Sequence, residues 1–333
     1  MENKPKIVIL GDGGWGTTLA IILSKKGFPV TLWGAFAENI AVMNKKRVNQ
    51  KFLPGIKIPK EVILTSDLKS SLRDKDIIVL AIPSQFVRLI LKKVKLAGYP
   101  TKALYLSVTK GLEMGTLKRI SEVIHDELGN VKLAVLSGPT IALEIAQGKP
   151  AVAVIASHNQ KVRDSLQGVF MTDRFRIYTN DDVIGVELGG SLKNIIAIAC
   201  GISDGLGFGT NTLAAILARG LAEISRLGVA MGAKAQTFGG ISGLGDLVTT
   251  CVSRHSRNRF VGEKIGKGKT LKEAIRHMQM VAEGVPTTKS AYDLSLRHKV
   301  DMPITQEVYN VLYRNKTAIR AFKDLMARER KKE

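Results

Sequence analysis

Gly11-Asp12-Gly13-Gly14-Trp15-Gly16 is the stretch that decides the fold of this 333-residue chain. In front of it, Lys6-Ile7-Val8-Ile9-Leu10 is a short apolar run bounded by Pro5. Behind it, Thr17 to Lys26 carries Leu19, Ile22 and Leu23 at helical spacing, and Gly27 ends the segment. Between a strand and a helix the glycines have separate tasks. Gly11 permits the tight turn, Gly13 lets the backbone approach a pyrophosphate, and Gly16 lets helix and strand pack closely. The helix N-terminus adds unpaired N–H groups and a dipole that favours phosphate. The glycine spacing alone is a weak signal. With a strand before it and a helix after it, it reads as a turn that binds a dinucleotide.

The same alternation continues outward. Pro29 to Trp33, Asp76 to Ile82, Ala103 to Ser107, Lys132 to Leu136 and Ala151 to Ile155 are apolar, strand-like runs separated by helical segments. Short buried strands between helices predict a mainly parallel, doubly wound sheet, an α/β Rossmann-like domain. After about residue 180 the strand signals nearly vanish. Val183 to Ile202, Leu213 to Leu227, Leu271 to Met280, Thr287 to His298 and Thr305 to Val311 read as helices, which predicts an all-α C-terminal domain. The boundary is expected near Gly189, giving domains 1–189 and 190–333 without a linker.

Composition narrows the function classes. The chain is 45% hydrophobic, enough for packed cores, and no uninterrupted apolar run reaches the roughly 18 residues of a membrane span. The N-terminus lacks the pattern of a signal peptide, and Cys200 and Cys251 lie far apart in sequence, so a cytoplasmic location without disulfides is expected. The net charge of +21 raises nucleic acid as a partner. The basic residues are scattered, apart from Arg328 to Lys332, and no aromatic–basic platform accompanies them, so none is expected. Weak attraction to anionic membrane is one reading of the charge; a solvated basic surface is the plainer one.

Candidate chemistry sits at strand ends, where open α/β sheets bind ligands. Pro83-Ser84-Gln85, Ser107 to Gly111 and Ser137-Gly138-Pro139-Thr140 fall there. Lys110 suits an anionic substrate, or is an exposed loop lysine. Lys193 interrupts an apolar helix one turn after Gly189 and Gly190, which a ligand can approach. Desolvated, it exchanges a proton near neutrality; otherwise its ammonium snorkels to water. Asp246, in Gly243-Leu244-Gly245-Asp246, orients an ammonium or caps a helix. Ser253 to Arg259 concentrates donors suited to phosphate, and nothing singles out His255 within it. Metal-ligand spacing is absent. No acid follows the second strand, where Gly34-Ala35-Phe36 stands, so NAD and NADP both remain open.

These segments, taken in order, resemble the bacterial NAD(P)-dependent sn-glycerol-3-phosphate dehydrogenases from about Lys6 to about Leu325. The resemblance rests on Gly11 to Gly16, Asn49 to Gly55, Ser107 to Glu113, Leu136 to Pro139, Ile184 to Gly190, Asp204 to Gly207, Gly243 to Asp246, Ser256 to Arg259 and Val281 to Gly284. It implies interconversion of dihydroxyacetone phosphate and sn-glycerol 3-phosphate, supplying phospholipid synthesis, in a cleft between the two domains. It also implies Lys193 as the proton-transferring residue. Lys110, Gly138, Thr140, Lys193, Asp246, Ser256, Arg257 and Asn258 would hold the small phosphorylated triose. Gly11, Gly13, Gly14, Trp15, Gly16, Lys110, Ala142, Arg257, Val281 and Glu283 would line the cofactor, and a homodimer is expected. Gly14 stands where the family often has serine, which should matter little if backbone contacts suffice. The alternative is a related two-domain dehydrogenase of a hydroxy acid, of 6-phosphogluconate or ketopantoate type. A further alternative, from another class, is a nucleotide-sensing or nucleic-acid-binding protein without catalysis.

Overall fold

The computed structural model describes residues 4–276 and 278–329, so Arg330, Lys331 and Lys332 of the terminal basic run lie outside the described residues. Among the described residues ten strands occur: β1 (Ile7–Leu10), β2 (Val30–Trp33), β3 (Val48–Asn49), β4 (Leu53–Lys57), β5 (Ile63–Thr65), β6 (Ile77–Leu80), β7 (Leu104–Ser107), β8 (Lys132–Ser137), β9 (Ala151–Ala156) and β10 (Phe175–Asn180). Eight of them form one sheet in the order β10-β9-β8-β7-β6-β1-β2-β5, while β3 and β4 pair separately. The sheet is parallel except where β8 meets β9. The order reverses at β1, so the turn after β1 sits at the switch point, where a crevice opens at the strand ends.

Two strands of the sheet escape the reading by apolar runs. β5 has three residues and its Ile63 faces solvent. β10 is an edge strand in which Phe175 and Ile177 point inward while Arg176 and Tyr178 point out. Its alternation is the mark of a half-buried strand. Both faces of the sheet are covered; at β1 the residues alternate between two apolar clusters, one including Ile7 and Ile9, the other Val8 and Leu10.

The C-terminal half packs helices around Val183–Gly205, a single helix that runs through the expected boundary at Gly189. Asp182 caps it by accepting from the Gly185 N–H at 2.9 Å. Its small residues have a packing role. Gly201 lies against the backbone of Arg259, and Gly262 against the carbonyl of Ile198. The central helix and the Arg257–Gly266 helix therefore touch nearly backbone to backbone. The central helix has the length and apolar character of a membrane span, but its most apolar window is 94% buried within the fold. Thr210–Ala230 and Pro303–Tyr313 start earlier and end later than expected, Gly284–His298 starts earlier and ends where expected, and Leu271–Ile275 is half the expected length. Leu271–Ile275 opens with a capping box between Thr270 and Glu273.

Candidate active site

The glycine turn is shaped by space as much as by dihedral freedom. Gly11 has φ +120°, and a Cβ there would run into the Ala81 carbonyl at the end of β6. A Cβ at Gly16 would strike the Gly11 carbonyl, while a Cβ at Gly13 would meet nothing within 4 Å. Gly13 is thus the position whose missing side chain opens onto free space. It also serves as N-cap of Gly14–Lys25 without a side-chain cap and without an acid in the first turn, so the N–H groups there have no side-chain acceptor. Gly14 does matter to the fold: a Cβ would lie 2.7 Å from the Phe52 carbonyl.

Asn49, fully buried, fixes this arrangement. It donates to the Asp12 carbonyl at 2.6 Å and to Thr17 Oγ1 at 2.9 Å, and accepts from the Phe52 N–H at 3.1 Å. The Ala142 carbonyl accepts from Thr18 Oγ1 at 3.1 Å, which sets the segment after β8 against the turn. Trp15 packs edge-on to Phe175, and its buried Nε1 has no partner among the described residues. Open space over Gly13, uncapped N–H groups and a helix dipole are the donor set a pyrophosphate requires, so the residues present fit a dinucleotide.

Beside the turn lies a charged triad drawn from three distant segments. Asp246, with a side chain 1% exposed, accepts from Lys193 Nζ at 2.5 Å through Oδ1 and from Lys110 Nζ at 2.8 Å through Oδ2. Lys110 also donates to the Gly138 carbonyl at 2.7 Å and to Thr140 Oγ1 at 3.1 Å. It is therefore a tethered site residue and not an exposed loop lysine. Lys193 also donates to Thr250 Oγ1 at 2.6 Å, which leaves one of its three ammonium protons without an acceptor among the described residues. Two ammonium groups on one carboxylate give this cluster a net charge of +1. Burial is the main cause that pulls the Lys193 pKa down to about 8, Asp246 opposing it and Lys110 adding to it. The ammonium does not snorkel: Lys193 is 5% exposed.

One expectation about this region changes, and one open alternative is decided. Gly189 and Gly190 do not open onto a ligand, since a Cβ at the first would sit 2.7 Å from the Ser242 carbonyl and one at the second would collide with Ser137 Oγ. Gly190 lets the central helix approach β8 and Gly189 lets it approach the Ile241–Gly245 turn, which brings Lys193 to Asp246. Asp246 is the first residue of Asp246–Val252, after a π-helical turn at Ile241–Gly245, and its carboxylate is engaged by the lysines instead of capping. Thr250 was not foreseen, although its place four residues after Asp246 puts both on one helix face.

The third group closes the ring. Ser256 caps the Arg257–Gly266 helix by accepting from the Arg259 N–H, so Arg257 and Asn258 occupy its first turn. Arg257 is exposed and donates to the Val281 carbonyl at 2.7 Å. Asn258 is buried between protein partners, donating to Asn194 Oδ1 and accepting from the Gly284 N–H, both at 2.9 Å. Glu283 accepts from the N–H and hydroxyl of Ser84, at 2.9 and 2.5 Å, across 199 residues of sequence. Its carboxyl is shifted upward, mainly by burial. A continuous path of contacts thus joins Lys193, Asn194, Asn258, Glu283 and Ser84. His255 stands apart, exposed on its loop. Cys200 and Cys251 are unpaired and buried, with the Cys251 thiol shifted upward by its hydrogen bond to Cys200 and by burial.

Known proteins of one family match the chain over most of its length. Residues 6–163 match the family described as NAD-dependent glycerol-3-phosphate dehydrogenase N-terminus, and residues 182–323 match the C-terminus of the same family. Proteins named glycerol-3-phosphate dehydrogenase [NAD(P)+] from Citrifermentans bemidjiense and a Thermoanaerobacter species are 48% and 49% identical, each alignment covering 98% of both chains. The crystal structure of glycerol-3-phosphate dehydrogenase from Coxiella burnetii superposes with a TM-score of 0.94 at 39% identity, over 98% of this chain and 99% of that one. D-mandelate dehydrogenase and a ketopantoate reductase share only the fold, at 12% and 15% identity. The chain belongs to the NAD-dependent glycerol-3-phosphate dehydrogenase family.

Proposed function

We propose that the chain interconverts dihydroxyacetone phosphate and sn-glycerol 3-phosphate, with Lys193 moving the proton and the Arg257 helix receiving the phosphate. The observation that carries this reading is the Asp246 bridge between Lys193 and Lys110. A reduced nicotinamide dinucleotide held at the Gly11 to Gly16 turn would supply the hydride for the carbonyl carbon. The residues do the rest. As charge builds on the ketone oxygen, the third proton of Lys193 meets it, and a pKa near neutrality lets the same group give the proton up and recover it. Asp246 and Thr250 fix the direction of that ammonium, and Lys110 adds positive charge without leaving the site. Arg257, an exposed planar fork in the first turn of a helix capped by Ser256, suits a phosphate carrying close to two negative charges. The role is supply of glycerol phosphate to phospholipid synthesis.

Steady-state kinetics with dihydroxyacetone phosphate and NADH or NADPH test the reading, and the absence of oxidation with both would overturn it. The division into domains 1–189 and 190–333, a homodimer, a cytoplasmic location and weak attraction to anionic membrane belong to the same proposal. Two buried, unpaired thiols suit a reducing compartment. Light scattering on a sizing column and vesicle sedimentation test the dimer and the membrane attraction.

A further inference from the structure

We infer that Asp12 stands in for the acid missing after β2 and makes the dinucleotide site select NADH over NADPH. This rests on the dinucleotide reading above. In sheets of this kind the ribose hydroxyls of the adenosine half meet an acid just beyond the second strand, and a 2′-phosphate is accommodated by a nearby arginine. Here Trp33 is followed by Gly34, Ala35 and Phe36, and the one charged residue before Asn39 is Glu38.

The corner is nevertheless acidic. Asp12, the second residue of the glycine turn, turns its carboxylate against Gly34. A Cβ at Gly34 would lie 2.6 Å from Asp12 Cγ and 2.8 Å from Oδ2, so any side chain there would displace the carboxylate. Asn39, from the next helix, pins Oδ2 by donating at 2.5 Å. A carboxylate has about four acceptor positions, so capacity remains for a ribose hydroxyl. Asp12 is buried, and burial shifts its carboxyl upward, opposed by Asn39 and by Lys51. Lys51 is the cation it feels, but that side chain is exposed and lies over the Phe52 ring. Arg47 donates instead to the Pro59 and Val62 carbonyls. A 2′-phosphate would bring close to two negative charges to this carboxylate, beside which Lys51 is the only cation felt among the described residues.

Calorimetric titration of the dinucleotide-free chain with NADH and NADPH at fixed ionic strength tests this without turnover. NADH should bind at least about tenfold more tightly. Asp12→Asn should shrink that ratio several-fold, mainly by tighter NADPH binding. Ala35→Arg, at an exposed position, should shift the ratio the same way in a background that keeps the turn intact. NADPH binding as tight as NADH to the native chain, or a ratio unchanged in Asp12→Asn, would overturn the inference. If Asp12→Asn does not fold, Asp12→Ser takes its place. Failure of both nucleotides to bind the native chain would remove the dinucleotide reading itself.

Discussion

The glycine turn, after β1, and the lysine pair, anchored by Lys110 after β7, are built on opposite plans. The turn works through what it lacks: side chains at Gly11, Gly13 and Gly16, and caps on the first N–H groups of its helix. Its six residues are consecutive. The lysine pair works through what it accumulates: two ammonium groups and a carboxylate from segments 53 and 136 residues apart in sequence. A backbone site is cheap to place because strand and helix hold it directly. A charge site must be held by tertiary packing, since each ion loses its water and needs the others. The difference teaches that binding and chemistry should fail separately.

The strongest test of that separation is Lys193→Ala. Turnover should fall by about 10³-fold or more while NADH affinity stays within about twofold, as for loss of a group acting on the developing charge. Comparable losses in both would merge the two sites. Next comes Arg257→Ala, expected to raise the Michaelis constant for the phosphorylated substrate by about 10²-fold, with a smaller effect on turnover. An unchanged constant would remove Arg257 from the phosphate site.

The turn can be divided further. Gly13→Ala adds a methyl group to open space, so thermal stability should hold while dinucleotide affinity drops by about tenfold. Gly16→Ala places the same methyl group against the Gly11 carbonyl, so stability should fall as well. Equal behaviour of the two variants would show that the free space over Gly13 has no bearing on binding. The smallest expected effect is in the pH profile. Ketone reduction uses the ammonium form of Lys193, so kcat/KM for reduction should decline as pH rises through about 8, and the reverse reaction should gain over the same range. A profile flat from pH 7 to 9 would contradict proton transfer by Lys193.

The two plans also explain what the sequence reveals. The turn is legible because its meaning depends on neighbours a few residues away, and most strands of the sheet follow from apolar runs. Lys110, Lys193 and Asp246 are legible as candidates because each charge sits among apolar or glycine residues, but their meeting at one carboxylate depends on packing. The packing role of Gly189 and Gly190 is hidden for the same reason: a small residue can face a ligand or a neighbouring segment, and sequence does not distinguish them. Asn49 shows the limit from the other side. It lies in a recognisable motif, yet its hydrogen bonds to Asp12 and Thr17 appear only once β3 is folded beside them.

The clasp between Ser84 and Glu283 has a consequence for how the enzyme comes into being. A ribosome delivers the glycine turn long before Glu283, which follows Ser84 by 199 residues. Domains generally fold as units, the N-terminal one first. The growing chain can therefore hold a nucleotide-binding surface well before Lys193, Asp246 and Arg257 emerge to make it reactive. Synthesis imposes an order in which a half-made molecule can bind but cannot turn over.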